Sequence, residues 1–564
     1  MQVDIKFKTM DTASSKFVDI NIITYRERRI WFVLIGTVLI VHALTLLRYP
    51  PPFVDDAVMG NRAWEFLRSG TSFGVLDRGV FDRFEGYSNF WPFLPAAIQS
   101  IGFLFSKSPS ILALRSISFV FGILLIIFVF VIGKYFGGER LGLVSVLLML
   151  ITKPFFVSSH LGRMDIIVAS MGLAAITLIL YFQNKNWLFS LVAGLIAGLA
   201  FEVHPYSLIY IFVIEGLLFF EYRKRILYSS SFWAFNFGVL IGFIVFIYLH
   251  ILPNPASYFE AMKLADGGVH TPPILTINPR LLLNSAYSAI VTISNDNLVI
   301  LLLLYLGIFK LDLSNNKKHQ QIGLIVVVLF VAYILLFNNK IFYYSILISP
   351  ALVIIASIYL ITIQERIINN SIGKLFYPLI WGLTIIVAIL TLRVLTVDFW
   401  THYNNVQSEI NRHIQKNDLV MGNQLYWFGL YQNDYYSWEA LIFYQRYDPE
   451  SDLEEALLEF KPDILIIDQH ISQFITDSDG TIAYQKALKL PETQTNSLLS
   501  KYGNLITEFD GGVYGLVRIY RFNWENSKSY QNPTRLAITT TGVNPIFSDK
   551  VIFSIRLQYF PSDV

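Results

Sequence analysis

The chain has 564 residues, of which 54% are hydrophobic, 15% aromatic and only 15% charged, against about 25% charged in an ordinary soluble domain. This excludes a disordered chain, a coiled coil and a water-soluble enzyme of several domains, and leaves a polytopic membrane protein. The 43 Lys and Arg nearly cancel the 41 Asp and Glu, for a formal charge of +2; no concentrated basic face invites nucleic acid, and the absence of cysteine excludes disulfides and thiolate metal sites.

The N-terminal segment, 1–29, carries Lys6, Lys8, Lys16, Arg26, Arg28 and Arg29. It has no early apolar stretch followed by a cleavage site, so the first span is expected to be retained. Apolar runs near the ~20 residues that cross a bilayer as helix then recur at 30–47, 111–132, 141–157, 166–182, 187–203, 206–220, 232–252, 289–309, 322–337, 341–363 and 375–397. This predicts about eleven transmembrane helices in a domain over 30–397. The eighth run is the weakest, because it carries Asn295, Asp296 and Asn297. Gly194 and Gly198 in the fifth stand at a small-xxx-small spacing that permits close helix packing.

The alternate turns hold Lys134 and Arg140, Lys185, Arg223 to Arg225, Lys310, Lys317 and Lys318, then Arg366 and Lys374. By the positive-inside rule these turns and the N-terminus are expected to be cytoplasmic. The loop 48–110, the loop 253–288 and everything after the last span are then extracytoplasmic. That region, 398–564, is polar and mixed in charge. Residues 452–460 read as an amphipathic helix, 463–468 (DILIID) as a buried strand after Pro462, and 513–522 as an alternating strand. A soluble α/β domain is expected there, followed by a tail.

Four polar clusters map to the expected outer face. Asp55 and Asp56 follow the stiff Pro50-Pro51-Pro52 exit of the first span, ahead of an amphipathic helix. His160, Arg163 and Asp165 stand at the entry to the fourth span. Glu202 and His204 lie in the turn after the fifth. Lys340, Tyr343 and Pro350 lie at the mouth of the tenth. Each has a plain structural use: solvated or helix-capping acids, an Arg–Asp pair, a satisfied interfacial histidine, a snorkelling lysine and a belt tyrosine. Ionisable residues at such a depth are also functional candidates, and four clusters on one face are what an outward-facing site at the bilayer surface requires. In the C-terminal region Tyr426, Trp427, Tyr435, Tyr436 and Trp438 can stack on sugar rings, although core packing is the favoured use.

An acidic pair after the first span, Arg-x-Asp entering the fourth and Lys-x-x-Tyr before a proline in a late span resemble the GT-C glycosyltransferases. The similarity is to the branch of protein O-mannosyltransferases and lipid A aminoarabinose transferases. The stretch FLFSKSPSILALRSISFVFGILLIIFVFVIGKYFG is also similar to that branch, and the resemblance covers roughly 30–350. Two departures are Asp56, where the branch often has Glu, and Asn89-Phe90-Trp91-Pro92 in place of a Lys-Pro-Pro segment.

The resemblance implies inverting transfer of a sugar from a polyprenyl-phosphate donor to an acceptor hydroxyl outside the cytoplasm, the acceptor being a protein, lipid or glycan. It makes Asp55 the general base and has Asp165 assist the acceptor or position that base. Positive charge on the leaving phosphate would come from Lys340, with Arg163 or His204 behind it, and Asp56 and Tyr343 would complete the substrate contacts. Asp55, Asp56, Asp165 and His204 can be arranged as an oxygen-rich divalent site, but the branch is generally metal-independent, so no cofactor is expected. The implied setting is a plasma or inner membrane. Two other classes compete: a transporter, which would want midplane charges and paired halves, and a membrane scaffold with an outer binding domain.

Overall fold

The computed structural model describes residues 24–80, 91–183, 186–259, 279–296, 317–337, 342–367, 403–476 and 489–524. Among them, six helices are long and apolar enough to cross a membrane, and three shorter apolar helices accompany them. The bundle opens with α1 (Tyr25–Thr45), whose N-terminus is closed by a capping box between Thr24 and Glu27. After the proline exit come α2 (Val54–Ser69) and α3 (Phe93–Ser106), then α4 (Ile111–Leu150). The last of these is two helices joined at Gly137 and Gly138, and Gly138 adopts φ +83°, a conformation open to glycine. The chain reverses there, so that a Cβ on Gly133 would lie 3.0 Å from Gly142. The run 141–157 is thus no single span: it breaks at Thr152, which caps the short α5 (Lys153–His160).

The bundle continues through α6 (Asp165–Phe182), α7 (Trp187–Val203), α8 (Leu208–Tyr222) and α9 (Ser230–Phe246), the last extended by a π turn. The Gly194/Gly198 spacing does close helix packing. A Cβ on Gly194 would meet the Phe235 carbonyl at 2.0 Å, and Gly198 faces Gly242, so α7 and α9 meet backbone to backbone. Three more helices follow: α10 (Pro279–Asp296), α11 (Lys317–Leu336) and α12 (Ser349–Ile367). The helix expected from 289 begins at Pro279, and the rest of that run lies outside the described residues, as does the eleventh expected span, 375–397.

The bundle has two chemically distinct ends. One carries the pairs Arg28–Glu139 and Lys317–Glu221, at 2.8 and 2.9 Å. The other is covered by the C-terminal region. There α13 (Tyr403–Asn411), α14 (Glu439–Tyr447), α15 (Leu453–Phe460) and α16 (Glu492–Tyr502) pack on a mixed sheet. Its strands are β1 (Val420–Gly422), β2 (Tyr435–Ser437), β3 (Ile464–Ile467), β4 (Gly503–Asp510) and β5 (Leu516–Phe522), in the order β2-β1-β3-β5-β4. The three at the β2 side run parallel, and β5 is antiparallel to both β3 and β4. The strand in DILIID is β3, all four of its residues buried as a central strand requires. The amphipathic 452–460 segment is α15 behind an Asp452–Glu455 capping box.

The sheet does not sit on the bundle as a separate ball. Ala57, Ala63, Leu76, Phe103, Ile111 and Leu114 share one continuous core with Tyr403, Val420, Leu425, Trp427, Phe428 and Ile466. That shared core places the C-terminal loops over the first turn of α2.

Candidate active site

Asp55 and Asp56 occupy the first turn of α2, where two acids complement the helix dipole. Both are buried, and they have different surroundings. Asp56 is fully enclosed and bound on both oxygens: Arg115 Nε and Nη2 donate at 3.1 and 2.6 Å, the Gly162 amide at 2.6 Å and the Phe53 amide at 2.9 Å. Arg115 also donates to the carbonyls of Leu46, Pro50 and Pro51, so this one guanidinium staples the proline exit to α2 and α4. Gly162 is required for the approach, since a Cβ there would lie 2.2 Å from Leu114 Cδ2. Asp56, expected at the substrate, has its oxygens committed within the protein.

Asp55 faces the other way. Arg163, in the loop between α5 and α6, donates from Nη1 to Asp55 Oδ2 and from Nε to Asp165 Oδ2 at 2.7 Å. Its guanidinium lies over the Tyr343 ring, 3.6 Å from the centroid, a cation–π contact strengthened by burial. Arg163 is 1% exposed, yet its Nη2 has no hydrogen-bond partner among the described residues. One donor of a buried cation is therefore uncommitted, where such groups are ordinarily satisfied. Burial pushes the Asp55 carboxyl above the ordinary range, Arg163 pulls it back, and Asp56 and Asp165 push it up again. Burial disfavours charge on Arg163, but Asp165 and Asp55 outweigh that and hold it firmly protonated.

The other expected residues fall around this cluster. His204 caps α7 and its Nδ1 accepts from the Tyr206 amide at 3.2 Å. Its ring is 5.9 Å from that of Tyr344, which itself flanks Tyr343 at 4.7 Å, so an aromatic chain links His204 to Arg163. His160 turns away from the cluster, its Nε2 2.9 Å from the His42 carbonyl on α1. Lys340 lies outside the described residues. Glu202 accepts from the Phe93 amide at 2.7 Å and so caps α3. Among the described residues no three His, Asp or Glu side chains are grouped so as to hold a metal ion.

Several residues at this end were not legible as site components. Arg115 sits inside an apolar run, and its only signal is that a charge there needs a buried partner. Glu439, at the first turn of α14, is buried, and burial pushes its carboxyl up to about 7; Asp55 and Arg62 are among the charges that act on it. Asp468 is buried and accepts from Asn423 Nδ2 at 2.7 Å and from the Tyr426 hydroxyl at 3.0 Å. Trp427, Trp438, Tyr426 and Tyr435 are enclosed, so these aromatics serve core packing.

Residues 91–249 match the model of a family described as dolichyl-phosphate-mannose-protein mannosyltransferase. The chain is similar in structure to ArnT from Cupriavidus metallidurans bound to undecaprenyl phosphate, with 13% identity, a TM-score of 0.58 and coverage of 87% of this chain and 98% of that one. The apo form of that protein gives 14% identity, a TM-score of 0.57 and the same coverage. The Archaeoglobus fulgidus oligosaccharyltransferase in the apo form gives 11% identity and a TM-score of 0.47 over 87% of this chain and 75% of that one. No curated protein sequence matches the chain. The chain is an integral membrane protein whose fold is like that of ArnT.

Proposed function

We propose that the protein transfers a sugar from a polyprenyl-phosphate donor to an acceptor hydroxyl, by inverting displacement, at the end of the bundle that faces the extracytoplasmic side. The observation that carries this reading is the buried Asp55–Arg163–Asp165 cluster with one arginine donor uncommitted. The fold supports it, being that of a protein solved with undecaprenyl phosphate.

The chemistry follows from the charges. A carboxylate whose proton affinity is raised by burial is a stronger base at neutral pH, and Asp55 takes the acceptor proton as the hydroxyl attacks the anomeric carbon. The bond to the leaving phosphate breaks on the opposite face of the ring. Negative charge then develops on the phosphate, where a positively charged donor lowers the barrier. Arg163 Nη2 supplies one such donor and Lys340 the second, with His204 behind them. Asp165 holds Arg163 in place and so positions Asp55, while Tyr343 supports the guanidinium from below. Asp56 acts through Arg115 by fixing the turn on which Asp55 stands. No step uses a metal.

The test is acceptor-dependent consumption of a labelled polyprenyl-phosphate sugar by the protein in nanodiscs. Counter-flow of a free solute in sealed liposomes, without consumption of the lipid, would instead make it a transporter.

A further inference from the structure

A cavity of about 450 Å³ opens beside the first turn of α2, within the ~300–1,000 Å³ range of small-molecule sites. One wall is the proline exit, Pro50 to Pro52, with Phe53 and Val54, the residue before Asp55. The facing wall comes from the C-terminal region: Asn423 after β1, then Gln469, His470 and Gln473 after β3, with Tyr514 before β5. The hydroxyl of Tyr514 donates to the Pro52 carbonyl at 3.1 Å, which ties the two walls together.

The walls differ in chemistry from the Arg163 cluster. Among the described residues none of those lining the cavity is a lysine or arginine, so no fixed positive charge there favours a phosphate or a carboxylate over a neutral ligand. Asp468 is already bound by Asn423, Tyr426 and the Ile471 amide, which leaves no open carboxylate to favour a cation. The polar groups on offer are the neutral, planar side chains of Gln469, Gln473 and His470, each able both to donate and to accept. His470 makes edge-on contacts with Trp438 and Phe474, at 6.4 and 5.3 Å, that fix its ring. Burial lowers its proton affinity while Asp468 and Asp55 raise it, which keeps the ring neutral and places it within electrostatic reach of Asp55. Opposite stand flat, apolar proline faces.

We infer that this cavity is the acceptor subsite and that it takes an uncharged carbohydrate, its hydroxyls paired with His470, Gln469 and Gln473 and its C–H faces laid on Pro50 to Pro52. This rests on the proposed transferase reading and adds to it the acceptor class and the residues that select it. Donor and acceptor then approach Asp55 from two sides, the anionic donor from the Arg163 side and the neutral acceptor from the proline side.

Binding and turnover are to be measured separately on the full chain in nanodiscs. Saturation-transfer NMR with neutral hexose disaccharides, with uronate-bearing or sulfated disaccharides of the same size, and with a Ser/Thr-containing heptapeptide reads the pocket without any donor. The neutral set should bind and the anionic set should not. His470→Ala and Gln473→Leu should each weaken binding about three- to tenfold, the loss of one neutral hydrogen bond, and raise the acceptor KM in step with no change in donor KM. Val513→Trp, at the rim, should block binding while the melting temperature reports an intact fold. Preferential binding of the anionic set or the peptide, or neutral binding unmoved by all three variants, overturns the assignment. If neutral sugars bind and the variants weaken them while the labelled donor is never consumed, the pocket stands and the transferase reading fails.

Discussion

Asp55→Asn is the sharpest test of the chemistry, because the structure separates its effect on catalysis from its effect on folding. The substitution keeps shape and removes the proton acceptor. Arg163 retains Asp165 at 2.7 Å, so no buried cation is orphaned and an asparagine oxygen can still accept from Nη1. The stability change should be about 1 kcal/mol, that of one exchanged hydrogen bond. Loss of a positioned general base costs ~10²–10⁴-fold in rate, equivalent to about 3–5 kcal/mol on the barrier. The neighbouring Asp56→Asn should do the reverse. Arg115 is fully enclosed, and the carboxylate it grips would lose its charge, a loss of about 3–5 kcal/mol of stability. The assay is single-turnover consumption of labelled donor lipid in nanodiscs, normalised to folded protein from the thermal transition, with donor-lipid binding measured alongside. Turnover within threefold of the parent in Asp55→Asn, with the protein folded, refutes the base assignment. Equal melting temperatures for the two variants refute the division of labour between the acids.

Four further outcomes follow from the same geometry. Since burial raises Asp55 and the base works only when ionised, the acid limb of the pH–rate profile should lie above the usual aspartate range; a limb at or below that range contradicts it. Glu439 has a folded value of about 7, above its unfolded value, so its contribution is full at low pH and is lost as pH rises towards 7; roughly 3 kcal/mol is at stake, and Glu439→Gln should flatten the fall in melting temperature between pH 5 and 8. Gly194→Ala should destabilise by about 1–3 kcal/mol through overpacking against α9, while Gly36→Ala, with nothing within 4 Å of its added carbon, should leave the detergent-extracted melting temperature unchanged. Chelation should not reduce turnover; activity lost with chelator and restored by Mg or Mn would establish a metal requirement.

Much of the architecture was legible because bilayer crossing and sheet burial leave strong periodic marks. The apolar runs located the helices from 166 to 252, the Gly194/Gly198 spacing located the tightest helix pair, and DILIID located the central strand. The misreadings have physical causes. Run 141–157 is apolar but for Ser145 and the Thr152-Lys153-Pro154 step, and that step marks the break: the Thr152 side chain accepts from the Phe155 amide and Pro154 stands in the first turn of α5. Helix α3 lay hidden in the loop 48–110, because its N-terminus is capped from far away by Glu202. The site was half legible. Asp55, Arg163 and Asp165 were visible as charges near a membrane face, but which of the two adjacent acids pairs with Arg163 and which is gripped by Arg115, 59 residues further on, is set by the tertiary structure. The position of 423–473 beside the proline exit is a matter of tertiary placement, with no local signal in the sequence.

The core shared by α2 and the C-terminal sheet has a consequence for biogenesis. Its two halves lie nearly three hundred residues apart, with Leu114 in one and Tyr403 in the other. During synthesis the α2 face bearing Ala57 and Ala63 emerges long before β1, β3 and β5 exist to cover it. The nascent chain must therefore hold an uncovered greasy surface until the C-terminal region is made, and a chain stopped before Tyr403 would leave that surface without its partners. Closure of the α2 face is thus a late event, and quality control that senses an unsheltered α2 would distinguish finished chains from aborted ones.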